Sequence, residues 1–331
     1  MRQLSAYEKL WPVAGTFTIS RSNLDVIPTV WVEITENGLK GRAECRPYER
    51  YGDTVESVMA EIDSLKPLIE AGTSREDLSG TFRPGPARNA IDCALWDLEA
   101  KQKQVSVSSL LGLNAPKERI TAFTLSVQPP DSMADAALKA VNFPLLKIKV
   151  NNDIAIACCL AVIKARPDAQ LIIDANESLE LAGLKELIRN VPHESIAMIE
   201  QPIHADAVLE ENLPTTIVIC ADESLHSDTD IGREHLTLLW AQGYRAINLK
   251  LDKCGGLTSA YALAQLAKGM GFKIMAGCMV GSSLAMAPML ILESLADVMD
   301  MDGPLLLSED CDNPLNYDQA TVYPPDKKLW G

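Results

Sequence analysis

Apolar and polar positions follow two different rhythms along this chain of 331 residues. Up to about residue 117 the pattern reads as strands followed by helices. PTVWVEIT and LKGRAEC alternate on either side of Asn37-Gly38, a pair that tolerates the positive φ angles of a two-residue hairpin turn. Helical stretches follow near 54–72 and 86–103. In the second, Ala90, Cys93, Ala94, Trp96, Leu98 and Lys101 predict one apolar face with a polar back. Residues 1–117 are therefore expected to form an α+β domain.

From residue 118 strand and helix patterns alternate. The strand candidates are ITAFTLSV, LLKIKV, LIIDAN, IAMIEQP, TIVICADES, AINLKLDK, KIMAGCM and VMDMDG, with helical segments at 153–165, 178–190, 256–270 and 282–296. Such alternation implies parallel strands joined by helical crossovers, and eight strands favour a closed barrel over 118–303. No glycine-rich phosphate loop follows any strand, which argues against a nucleotide-binding open sheet. Residues 304–331 carry prolines and no helical pattern, and are expected to run back over the first domain.

Composition narrows the partners. Hydrophobic residues make up 47% of the chain, enough for a large core, and the net charge is −15. An acidic chain lacks the basic patch that nucleic acid or an anionic membrane surface selects. No apolar run is long enough to span a bilayer, and the N-terminus has no signal-like apolar segment. Eight scattered cysteines without a CxxC pair fit buried thiols in a reducing cytoplasm, the expected location. A small-molecule substrate remains the expected partner, with self-association left open.

Charged residues recur at the strand ends, where a barrel of this kind builds its active site. Lys147 and Lys149 fall on strand two, Asp174, Glu200 and Asp222 on strands three, four and five, Lys250 on strand six, and Asp300 and Asp302 on strand eight. Strands two and six face each other across a ring of eight, so lysines flank the arc of carboxylates. Residues two apart in a strand share a side, which groups Lys147 with Lys149, Asp174 with Asn176, and Asp300 with Asp302. Three oxygen donors without His or Cys suit Mg²⁺ rather than zinc. A cation there can stabilise the enediolate formed when a proton leaves carbon beside a carboxylate. The base must be neutral when it acts, and the Lys147–Lys149 pairing is expected to lower a lysine pKa. Bases on two faces allow epimerisation.

These residues resemble a known family. KxK at 147–149, Asp-x-Asn at 174–176, IEQP around Glu200, DES at 222–224 and KxxxxGG from Lys250 to Gly256 are similar to the muconate-lactonizing subgroup of the enolase superfamily, for which lysine or histidine bases with Mg²⁺ are general knowledge. Asp300-x-Asp302 within DMDGPLLLSED resembles the dipeptide epimerases of that subgroup. The implied fold is α/β: a (β/α)7β modified TIM barrel with an N-terminal α+β capping domain completed by the C-terminal tail. The resemblance implies that Lys149 and Lys250 are the two acid/base residues, supported by Lys147, and that Asp174, Glu200 and Asp222 ligate one Mg²⁺. It gives Asp300 and Asp302 to the substrate's amino group. Arg21, in TFTISRSN, resembles the arginine that recognises the side-chain carboxylate in L-Ala-D/L-Glu epimerases, and bidentate carboxylate binding suits a guanidinium. Thr124 is counted with the substrate-binding residues, and Asn176 and Glu223 are expected to orient ligands. Gly281 stands where the resemblance would put an acid. The interval of 28 residues from Asp222 to Lys250 is long for the family, and an extended helix over 228–243 is expected to absorb it.

Plainer roles compete with each assignment. A lone strand-end aspartate commonly caps the next helix, but three on consecutive strands favour ligation. Lys253 lies in the turn before Gly255-Gly256 and reads as structural beside Lys250. Trp96 and Asp97 read as core and interface. At the level of function, a cycloisomerase or o-succinylbenzoate synthase-like dehydratase shares these lysines and acids without needing an amino-group site, and a catalytically silent barrel is the non-enzymatic alternative.

Overall fold

The computed structural model describes every residue except 20–21, 79, 210–212 and 214–215. Arg21 therefore lies outside the described residues. The chain opens with an antiparallel meander of β1 (Gln3–Ile19), β2 (Ser22–Glu36) and β3 (Leu39–Cys45). Glu36 pairs with Leu39, so Asn37-Gly38 makes the two-residue turn, with φ of 52° and 80°. Val30, Val32 and Ile34 point from β2 into the core, as their period of two requires.

Helices α1 (Val55–Glu70) and α2 (Pro86–Lys103) cover this sheet. Thr54 and Ser57 close a reciprocal capping box at the start of α1. The polar back expected for α2 is not solvated: the helix is buried on nearly every side from Pro86 to Leu98. The barrel covers its polar residues. Arg88 donates to the carbonyls of Cys254, Gly255 and Phe82 and to Asp230. Asp92 accepts from Thr258 N and Oγ1, and Asn89 donates to Asp252.

Eight parallel strands follow in sequence order: Phe123–Leu125, Leu145–Lys149, Gln170–Asp174, Ile196–Glu200, Ile219–Ala221, Ala246–Leu249, Lys273–Ala276 and Val298–Met299. A parallel bridge between Thr121 and Met299 closes the ring. Crossover helices include Ala155–Ala165, Leu181–Asn190, Arg233–Ala241, Leu257–Gly269 and Ser283–Leu290. The fifth helix is shorter than expected. The helix expected over 228–243 forms only at Arg233–Ala241, and the residues before it make a loop whose Asp230 reaches Arg88 of the cap. The last crossover helix is also shorter than expected, ending beyond Pro288.

Inside the barrel, Ala122, Ile172, Met198, Cys220, Ala246 and Met275 pack as one buried layer. Two residues further along the same strands, the inward positions become Thr124, Asp174, Glu200, Asp222 and Asn248. A strand's period of two thus carries each strand from an apolar floor to a polar mouth. The tail returns to the cap: Trp330 Nε1 donates to Cys93 O, Gly331 N to Asp97, and Arg42 to Leu329 O. All eight cysteines are free, and among the described residues no helix is long and apolar enough to cross a membrane.

Candidate active site

The strand register brings the anticipated residues together at the C-terminal end of the barrel. Lys147 and Lys149 end strand two, Asp174 and Glu200 end strands three and four, and Asp222 and Lys250 follow strands five and six directly. Asp300 and Asp302 follow strand eight. All are buried, together with Thr124, Asn176 and Glu223. The backbone is special here: Asn176, Glu177 and Gln201 take φ of 43°, 69° and 32°, a conformation that non-glycine residues hold only when their surroundings impose it. The clamp is visible for Glu177, which Arg50 of the cap grips through two bonds of 2.9 Å.

Lys147 occupies the centre. Its Nζ lies 2.7 Å from Asp300 Oδ2, 2.7 Å from Glu200 Oε2 and 3.1 Å from Asp174 Oδ2. Lys149 Nζ meets Asp174 Oδ2 at 2.5 Å and Asn176 Oδ1 at 3.1 Å. Across the mouth, Lys250 Nζ meets Asp222 Oδ2 at 2.8 Å. Asn176 donates to Glu223 Oε1 at 3.3 Å, which ties the two expected orienting residues to each other. Thr124 reaches the cluster through its backbone, its N donating to Asp302 Oδ2 at 2.6 Å.

Three residues matter more here than their sequence context suggested. Lys253 is buried and donates to both Asp222 O and Asp222 Oδ1 at 2.6 Å, so its reading as a mere turn residue is incomplete. The short helix Leu251–Cys254 swings it back over strand five. Asn248 donates to Glu200 Oε1 at 2.7 Å; its place two residues before Lys250 on an inward face was a usable signal. Gln201 Oε1 accepts from Asp222 N and Ser224 N, which shapes the turn carrying Asp222. Gly281 also has a local reason: a Cβ there would come within 3.0 Å of Glu44 Oε1, and Glu44 binds the adjacent Ser282 N and Oγ.

The charges are unbalanced. Six buried acids (Asp174, Glu200, Asp222, Glu223, Asp300, Asp302) face four buried lysines (147, 149, 250, 253), an excess of two acids. Burial would push the Asp174 and Asp222 carboxyls up, but Lys149 and Lys147 around the first, and Lys250 and Lys253 around the second, hold both well below the carboxylate range. Glu200 goes the other way, to about 8, through burial and then the Asp174 charge. Asp302 is pushed up to about 7 by burial and by Asp300. Burial opposes the ammonium of Lys147 too, yet Asp300, Glu200 and Asp174 hold it well above the usual lysine value, and Asp222 does the same for Lys250. The expectation that lysine pairing lowers a pKa is thus reversed for Lys147, because three carboxylates outweigh one neighbouring ammonium.

Among the described residues, no three His, Cys, Asp or Glu side chains converge on one point closely enough to hold a metal as they stand. The lysines explain the spacing, since each near acid is turned to an ammonium. The donor set nevertheless fits a hard divalent cation. It is all oxygen, it is two acids in excess, and Glu200 Oε2 and Asp300 Oδ1 are buried without a hydrogen-bond donor. Glu200 Oε2 has an ion contact with Lys147 but no aligned bond. Carboxylate oxygens so placed are costly unless a cation completes them.

Known proteins share this sequence pattern and fold at the level of the whole chain. Residues 1–112 match the family model for the mandelate racemase / muconate lactonizing enzyme N-terminal domain, and residues 132–328 match that for the enolase C-terminal domain-like family. The chain is similar to the L-Ala-D/L-Glu epimerase of Escherichia coli (strain K12), 42% identical over 327 residues, covering 98% of this chain and 100% of the relative. It superimposes with a TM-score of 0.95 and 40% identity, over 100% of both chains, on an enolase family member from Agrobacterium tumefaciens with homology to dipeptide epimerases, solved with sodium and L-Ala-L-Glu. A dipeptide epimerase from Enterococcus faecalis V583, complexed with Mg and L-Leu-L-Tyr, matches with a TM-score of 0.88 and 25% identity over 98% of this chain and 97% of that one.

Proposed function

The chain belongs to the mandelate racemase/muconate lactonizing enzyme family of the enolase superfamily, and from that premise we propose that it epimerises a dipeptide at the Cα beside its carboxylate. It is an isomerase acting on amino-acid derivatives. The observation that carries the finer reading is the opposition of two buried lysines across an arc of acids. Lys149 ends strand two, Lys250 follows strand six, and Asp174, Glu200 and Asp222 lie on the strands between.

Asp174, Glu200 and Asp222 would hold Mg²⁺, in line with their oxygen donors and the surplus of acid. Bound there, the ion would supply charge stabilisation for a developing enediolate and would take up the Asp222 charge that otherwise holds Lys250 protonated. The chain's own groups do the proton work. One lysine, neutral at that moment, takes the Cα proton and becomes an ammonium. The opposed ammonium returns a proton to the other face and becomes neutral. The proton count is unchanged and the two lysines have exchanged roles, so the reverse reaction is equally available. Lys147, held protonated by its three acids, contributes positive charge beside the reacting carbon. Asp300 and Asp302 would take the substrate's ammonium group. Asp300 Oδ1 is buried and lacks a donor, and Thr124 N steadies Asp302. Asn176 and Glu223 would orient the acids and lysines they touch. Arg21 would recognise a side-chain carboxylate; this assignment rests on the family resemblance and on the L-Ala-L-Glu bound by the Agrobacterium relative.

The direct test is incubation with L-Ala-L-Glu in D₂O. One deuterium should enter at the Cα of the Glu residue while both epimers accumulate; unlabelled, unchanged peptide would sink the reading. Chelation with EDTA should abolish turnover, and added Mg²⁺ should restore it. Mg²⁺ at a hundred times its dissociation constant should also stabilise the fold by about 2.7 kcal/mol, since it binds only the native state. A melting temperature blind to millimolar Mg²⁺ would argue for a silent barrel. Replacing Asp302 with Asn should weaken dipeptide turnover roughly tenfold or more through KM, as a charge-assisted contact is lost. A dehydratase or cycloisomerase would keep its activity in that variant.

A further inference from the structure

The fold buries three arginines nearly completely: Arg46, Arg88 and Arg166. Two are saturated. Arg88 donates to three backbone carbonyls, Asp230 and Ser259, and Arg166 to three backbone carbonyls and Asp168. Arg46 differs. It is 7% exposed, yet its guanidinium donates to no described residue and forms no close ion pair with a described acid; buried Asp252 acts on it only at longer range. Its neighbour is the ring of Tyr48, 6.0 Å from the guanidinium carbon. None of its nitrogens is sealed from solvent, so the donors open onto water-accessible space. A mostly buried guanidinium with no protein acceptor and an opening to water offers a planar set of donors to an anion that displaces that water.

The surroundings say which space this is. Arg46 leaves the end of β3, and its backbone N donates to Asp252 Oδ1 at 3.1 Å, two residues beyond Lys250. The same loop continues to Arg50, which grips Glu177 beyond strand three, and to Tyr51, stacked on His226 beyond strand five with ring centroids 4.0 Å apart. The loop therefore crosses the mouth, and Arg46 stands over strand six. Cys278, half-buried beyond strand seven, lies within electrostatic reach of Arg46 on one side and of Asp300, Asp302 and Lys250 on the other. Cys278 thus feels the charge of the guanidinium and of the groups assigned to the substrate.

We propose that Arg46 is an anion-recognising residue of the substrate pocket, selecting a dipeptide that carries a side-chain carboxylate in addition to the one at the metal. The proposal rests on the dipeptide reading above and deepens it. A planar fork of donors suits a carboxylate, and a half-enclosed setting strengthens the bond. The carboxylate can come from either residue of the dipeptide, and the test separates the two.

Binding of L-Ala-L-Glu, L-Glu-L-Ala and L-Ala-L-Gln is measured by calorimetry in Mg²⁺, with kcat and KM for each, on wild type, Arg46→Met and Arg46→Lys. In Arg46→Met, one of the two acidic peptides should lose about tenfold to a hundredfold in affinity and in kcat/KM through KM, as expected for a lost charge-assisted pair. L-Ala-L-Gln should be unchanged, and Arg46→Lys should recover part of the loss. The acidic peptide affected identifies which residue carries the anion. Equal loss for all three peptides, or no loss for any, overturns the proposal, and so does a wild type that binds no acidic peptide. A wild type that binds L-Ala-L-Glu through Arg46 without epimerising it would keep the subsite and remove the dipeptide-epimerase reading instead.

Discussion

Lys250→Ala should lose epimerisation by a factor of roughly 10³ or more while still exchanging the Cα proton of one epimer with solvent. The magnitude follows from the 10²–10⁴ that a positioned acid or base contributes, and here the residue has to serve as both in turn. The asymmetry follows from placement. Lys149, on the opposite strand, is untouched and can still remove and return a proton on its own face. Lys149→Ala should show the mirror image, exchanging the other epimer. Such a pattern is hard to mistake for unfolding, because the site has a second hold on Asp222. With Lys250 gone, Lys253 still binds the Asp222 carboxylate and carbonyl, both at 2.6 Å. The melting temperature should therefore stay close to that of wild type. Racemisation that persists in Lys250→Ala, or solvent exchange into both epimers, would rule out the two-base scheme. The assay is mass spectrometry of each epimer separately after incubation in D₂O.

The second large effect is on stability. Gly256→Ala should destabilise the fold by roughly 2–6 kcal/mol, combining a backbone conformation close to glycine-only with overpacking of the joint. Gly256 has φ of 110° and ψ of 179°, and a Cβ there would sit 2.6 Å from Asp92 Cβ and 2.7 Å from its Cγ. Neither atom is a flexible tip. Asp92 is held by Thr258 N and Oγ1 and cannot move without breaking both bonds. Gly255 has φ of 75°, and a Cβ at that position would lie 2.2 Å from Arg88 Nε. Urea unfolding reads the effect directly. A loss below about 1 kcal/mol would mean that the turn relaxes freely, contrary to the close packing of the interior.

Much of this site is legible in the sequence because a barrel converts chain order into geometry. Once eight strands are counted, Lys149 and Lys250 must oppose each other, and Asp174, Glu200 and Asp222 must fill the arc. The Asn37-Gly38 hairpin is legible for a similar reason: few dipeptides accept two positive φ angles. What escaped depends on who covers whom. The polar side of α2 looked solvated because sequence periodicity distinguishes polar from apolar but does not identify the partner that satisfies Arg88, Asn89 and Asp92. Lys253 looked like a turn residue because nothing in LDKCGG says that a single helical turn folds it back onto Asp222. The raised pKa of Lys147 needed the whole charge count, whereas adjacency to Lys149 supplied only one member of it. The helical pattern over 228–243 overreaches at its start, where the structure uses a loop that delivers Asp230 to Arg88 before the helix Arg233–Ala241 begins.

The Arg88 and Asp92 contacts join residues 167 and 166 positions apart, from the heart of α2 to the turn just past Lys250. That span has a consequence for recombination. A crossover anywhere between α2 and Lys250 hands the arginine and aspartate to one parent and the paired glycines to the other. Shuffled genes would therefore inherit the two sides of this joint from different ancestors. The two halves of this molecule should travel together, or the graft must bring Arg88, Asp92, Gly255 and Gly256 as a single cassette.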